Sequence, residues 1–208
     1  MKRTPYHLSL NVLTILIIVL SGCSAAVMEG DSLSGQVPTA VAQAGDGLTS
    51  ENRFPRAGVI YQWAVSAEAS SEFSSPEWSA EQAVGKPDSP GCGDYQFSWA
   101  SAASDSIDTL IVVFPELVYP LEIIIHESFN SDQVTKVEVQ DPVRLGYYTV
   151  HQKNPIRVDR PCPYELIVPV EGINFLTNTV RITVDQSQLG LGWNEIDAVQ
   201  LIGTKGEE

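Results

Sequence analysis

Trp193, Asn194 and Glu195 stand together at the end of a glycine-bearing loop and combine a flat ring, an amide and a carboxylate. Such a trio suits holding a ligand, because a ring covers an apolar face while a few polar groups fix orientation. Other side chains that loops would present are His126, Phe129, Asn130, Tyr147 and Tyr148. Aromatics beside Asn, His or Arg donors fit a glycan. A plainer role competes at several positions. Trp63 and Trp99 suit the ends of a core, and Trp193 is balanced between core and ligand. His126 lies at the outward register of its strand, where solvation is the simpler role. Arg181 is placed to pair with an acid on the neighbouring strand.

Catalysis finds little support. His7 lies near the N-terminus, which leaves His126 and His151, and neither a G-x-S-x-G elbow nor an H-E-x-x-H pair is present. Gly190-Leu191-Gly192 runs on to Glu195 without a third glycine and opens no helix, so it is no phosphate cradle. No pair of carboxylates sits in a recognisable hydrolase frame. The sequence therefore reads as a non-enzyme. With 12 Lys plus Arg against 26 Asp plus Glu the formal charge is −14. That balance argues against nucleic acid, whose binding needs clustered bases.

The N-terminus has the order of an export signal: Lys2 and Arg3, an apolar run from Leu8 to Leu20 broken by Asn11, then small residues. The run is short for a bilayer-spanning helix. Leu20-Ser21-Gly22-Cys23 resembles the lipobox of bacterial lipoproteins. The resemblance implies that residues 1–23 are a signal peptide ending at a lipidated Cys23, with the domain outside the cytoplasm and anchored to membrane in the bacterial envelope. An ordinary secretory signal or an uncleaved anchor is the alternative. Residues 24–58, rich in Ala, Gly, Ser, Gln and Val, form a tether that would reach roughly 30 Å as a coil. With Cys23 assigned to lipid, Cys92 and Cys162 remain. An oxidising compartment favours their disulfide, and two free thiols are the alternative.

The elements that must position these residues are short strands. Residues 59–65, 95–100, 108–114, 121–127, 134–140, 147–152, 165–170, 177–184 and 195–202 read as strands, several with clear alternation. Val180, Ile182 and Val184 share one face, as do Val137 and Val139, and Leu121, Ile123 and Ile125. Ser79–Val84 reads as a short helix capped by Ser79, and Gly85–Gly93 as a loop of fixed shape. With no βαβ alternation, residues 59–204 are expected to form an all-β, antiparallel two-sheet jelly-roll sandwich, followed by a tail at 205–208.

Ser79–Ser101, Pro120–Asn130 and the stretch from Val180 to Gly203, in that order, resemble discoidin-like domains, the coagulation-factor type C and galactose-binding-like superfamily. The resemblance implies a galactose-binding-like jelly roll that binds glycans, lipids or proteins through loops at one end. It also implies a structural calcium ion held by Asp88 and Glu195, with carbonyls near residues 83–86 and 97–99. The loop KPDSPGCGD departs from the family pattern, and Asp88 and Asp94 would instead cap turns around a Cys92 bridge. The expected function is a non-catalytic, lipid-anchored module that recognises carbohydrate or surface polymer. A protein–protein interaction module of the envelope is the alternative.

Overall fold

The computed structural model describes residues 58–157 and 162–206. Cys23 and nearly all of the expected tether lie outside the described residues.

Among the described residues eight antiparallel strands make the fold: β1 (Val59–Trp63), β2 (Ser66–Ala69), β3 (Ile107–Phe129), β4 (Val134–Gln140), β5 (Tyr147–Gln152), β6 (Tyr164–Pro169), β7 (Thr177–Asp185) and β8 (Glu195–Thr204). They form two layers sharing one strand. The first half of β3 pairs with β2 and β7, and β7 continues to β4 and β5. The second half pairs with β6 and β8, and β8 continues to β1. The architecture is the expected β-sandwich.

Between the layers pack Leu110, Val112, Val137, Val139, Val180, Ile182 and Val184 from one sheet. Facing them are Ile123, Ile125, Leu166, Val168, Val199 and Leu201 from the other. Each side chain so buried contributes about 1.5–3 kcal/mol. The period-2 expectation therefore holds for β4 and β7.

Three expectations need correction. The strands expected at 108–114 and 121–127 are one 23-residue strand. Pro115 and Pro120 do not end it, because its register shifts between Val113 and Val118 and again between Pro120 and Glu122. Irregular pairing of this kind accommodates a residue without an N–H and turns the strand from one sheet into the other. Gly203 permits the passage, since a Cβ there would lie 2.5 Å from the Tyr119 carbonyl. Residues 95–100 supply only a single bridge, Trp99 to Ile196. The expected helix is a four-residue 3-10 turn, Ala80–Ala83, and Ser79 makes no side-chain cap. Its hydroxyl donates instead to the Pro76 carbonyl at 2.8 Å.

Candidate functional site

The loop between β7 and β8 is locked from beneath by buried amides. Gln186 donates to Ser101 Oγ (2.6 Å) and accepts the Asn194 N–H (2.7 Å). Asn194 Nδ2 donates to Glu127 Oε1 at 2.6 Å and to the Asn130 carbonyl at 3.2 Å. Asn130 Nδ2 in turn donates to the Leu191 carbonyl at 2.7 Å. Together these bonds make a shelf that holds Trp193, whose indole N–H donates to the Ser101 carbonyl at 2.9 Å.

A second loop, between β2 and the 3-10 turn, brings Phe73 and Trp78 to the same place. The Phe73 N–H donates to the Ala100 carbonyl at 2.8 Å, and the Trp78 carbonyl accepts from Ala100 at 3.2 Å. Phe73 meets Trp78 edge-on (centroids 5.5 Å) and Trp193 likewise (5.3 Å). Phe73 remains 48% exposed, so the cluster opens to solvent. Trp78 holds a φ of 54°. For a bulky residue the left-handed region is strained by about 1–2 kcal/mol, the kind of cost that recurs at functional sites.

Carboxylates complete the pocket. Its walls are Phe73, Trp78, Ala100, Trp193, Asp94 and Glu195. Asp94 Oδ1 accepts the Trp78 indole N–H at 2.9 Å. Glu195 is 2% exposed, and its Oε2 accepts the Tyr95 N–H at 3.0 Å. Burial, and then the neighbouring Asp94, push the Glu195 carboxyl up to about 8. The Cys92–Cys162 disulfide forms as expected, with Cα atoms 5.0 Å apart. It anchors the segment bearing Asp94 to the start of β6, and the adjacent Gly93 N–H donates to the Ser128 carbonyl at 3.0 Å.

Calcium fits this arrangement poorly. The ion takes six to eight oxygens at 2.3–2.6 Å, whereas the loop turns N–H donors toward the carboxylates. Asp88, itself exposed, gives its N–H to Asp197 Oδ1 at 3.4 Å. Ser89 adds its N–H at 3.3 Å and its hydroxyl at 3.0 Å to the same oxygen. Among the described residues no group of three or more His, Cys, Asp or Glu is arranged to hold a metal. The Asp88 N–H thus goes to Asp197, while the Glu195 carboxylate takes the Tyr95 N–H. The buried acid that receives the loop is Asp197, which the sequence reading passed over.

The other expected contacts scatter. Trp193 belongs to the pocket and Asn130 buttresses its shelf, while Phe129 is half-buried opposite Glu195. His126 is not solvated at the surface. It tilts against Trp63 (centroids 5.3 Å), 3.7 Å from Glu165, and burial holds its pKa below the ordinary value despite that glutamate. Tyr147 lies under Arg181, whose guanidinium sits 3.7 Å above its ring, and Tyr148 leans on Phe175. Tyr147 lines a separate open groove with Glu68, Ile111, Val113, Gln140 and Thr179. Phe73, Trp78 and Asp94 were missed as site residues. Their only sequence signal is two aromatics five positions apart around a proline in a serine-rich loop.

The family model described as Pappalysin-1, SD scarf domain, C-terminal, matches residues 53–208. No curated protein matches the chain. Among solved structures, an F5/8 type C domain from Bacteroides fragilis is 11% identical with a TM-score of 0.50, covering 70% of this chain and 98% of that one. A point mutant of chitosan-binding module 1, from a Paenibacillus chitosanase/glucanase, is 12% identical with a TM-score of 0.50, covering 66% and 93%. A CBM32 module of Clostridium perfringens, solved with GlcNAc-α-1,4-galactose, gives 12%, 0.50, 66% and 89%. These likenesses establish a discoidin-like, galactose-binding-like fold.

Proposed function

We propose, for a chain that belongs to the Pappalysin-1 SD scarf domain family, a non-catalytic module that binds carbohydrate through the pocket at its loop end. The observation that carries this is the pocket itself. Phe73 stands 48% exposed, flanked edge-on by Trp78 and Trp193, beside two carboxylates able to accept hydroxyl hydrogen bonds. Exposed rings of this kind suit the apolar face of a sugar, and nearby acceptors suit its hydroxyls. The names of the fold neighbours, a chitosan-binding module and a module solved with a disaccharide, agree with this class of ligand.

Binding is favoured over hydrolysis by what the two acids already hold. Hydrolysis needs a carboxylate pair about 5–9.5 Å apart and free to act on sugar and water, whereas Asp94 accepts the Trp78 indole N–H and Glu195 the Tyr95 N–H. At the cell, the module would be held at the bacterial envelope by lipid on Cys23, with the residues that follow as its tether. A glycan array probed with the full-length chain should give hits that Phe73→Ala abolishes. Hits that survive this change would contradict the pocket. Metabolic palmitate labelling that disappears in Cys23→Ala supports the anchor, and labelling that persists contradicts it.

A second reading, a protein-binding module, is favoured by the β4–β5 turn, where Val143 is 88% and Leu145 70% exposed. Cross-linking in cells from that turn, compared with cross-linking from the pocket rim, separates the two.

A further inference from the structure

Two buried carboxylates are paired with bases: Glu138 with Arg181 at 2.8 Å and Lys136 at 3.3 Å, Asp141 with Arg144 at 3.1 Å. Asp108 is met by the hydroxyls of Ser70, Ser71 and Ser106. Asp94 and Glu195 stand together at the pocket. Among the described residues no Lys, Arg or His forms an ion pair with either. Glu195, buried and with Asp94 beside it, keeps its proton near neutral pH, and a cation arriving at the pair can take that proton's place. The rest of the lining is aromatic, and ring faces attract cations as well. The surroundings reinforce this, since a chain with a formal charge of −14 concentrates cations near its surface.

Resting on the carbohydrate reading of the same site, we propose that the pocket takes a sugar bearing a protonated primary amine, with the ammonium on the Asp94–Glu195 pair and the ring against Phe73. Hydrogen bonding selects the type of cation. A primary ammonium carries three N–H donors, enough to make charge-assisted hydrogen bonds to both acids at once. A quaternary ammonium has none and would make no such bonds. A metal ion would need more oxygens than the walls offer.

The test is calorimetric titration of the full-length chain with three probes: a glucosamine oligomer, the N-acetylglucosamine oligomer of the same length, and tetramethylammonium. The glucosamine oligomer is expected to bind at least about tenfold more tightly than its acetylated counterpart, the scale of one charge-assisted hydrogen bond. Asp94→Asn should erase most of that preference. The change is at an exposed position and keeps the acceptor for the Trp78 indole, so folding, checked by thermal melting, should be unaltered. Equal affinity for the two oligomers would overturn the ammonium assignment and leave the carbohydrate module standing. Binding of tetramethylammonium without either oligomer would sink the sugar and keep a cation site. No response to any probe would remove both.

Discussion

Glu138 and Glu195 are both almost fully buried, 5% and 2% exposed, yet the fold treats them in opposite ways. Glu138, on the outer face of the five-stranded sheet, lies opposite Arg181 and accepts its Nε–H at 2.8 Å. Burial alone would lift its pKa, but the hydrogen bond and charge of Arg181, helped by Lys136, carry it below the ordinary value. Glu195, at the loop end, receives a backbone N–H and the company of another acid, and its pKa rises to about 8. Glu138 stays charged because the fold supplies its base. Glu195 keeps a proton near neutral pH and faces an open aromatic pocket, a place that a partner from outside can use.

The difference can be broken or sharpened at several points. The largest effect should come from removing the disulfide with Cys92→Ser/Cys162→Ser. Opening a link across 70 residues costs roughly 4 kcal/mol in the chain-entropy account, or about 10 °C in Tm. Hydrogen exchange should show the loss of protection concentrated at Gly93 and Tyr95 rather than at Arg181. Uniform loss would mean the two regions are not separable.

Next in size is Arg181→Met, which leaves Glu138 buried without its hydrogen-bonded partner. A loss of about 2 kcal/mol is expected at pH 7, read by denaturant unfolding. Because the Glu138 pKa lies below the ordinary 4.5, its contribution is present above that value and is lost as pH falls through the folded pKa. The variant and the parent should therefore converge in acid.

Glu195→Gln should do the reverse. A folded pKa of about 8 against an ordinary 4.5 means that the native chain keeps a proton the unfolded chain has released. Parent stability from this group falls as pH rises across that window and levels off above it. The variant should match the parent near pH 5 and melt about 3 °C higher near pH 9, the scale of roughly 1 kcal/mol. A variant less stable at both pH values would show that the carboxylate is structural.

The two regions also differ in how far the sequence reveals them. The Arg181–Glu138 pair follows from alternation: Val180, Ile182 and Val184 point inward, so Arg181 points outward beside a strand patterned the same way. Period 2 is a local signal, and it survives folding. The pocket is not local. Phe73 and Trp78 come from a loop with no period, and Trp78 reaches the site through a φ of 54° that no propensity predicts for tryptophan. Asp94 looked like a turn cap because its partner indole lies 16 residues away. The discoidin-like resemblance pointed to Asp88 and Glu195 together; Glu195, at the start of the last strand, lines the pocket, and the Asp88 N–H goes to Asp197.

The four tryptophans allow the central claim to be read at the site. In an NMR titration of the indole N–H signals with a glucosamine oligosaccharide, Trp78 and Trp193 should shift together and saturate at one concentration, while Trp63 and buried Trp99 stay in place. Shifts confined to Trp63, or none at the pocket pair while binding is detected by calorimetry, would place the ligand elsewhere and contradict the account.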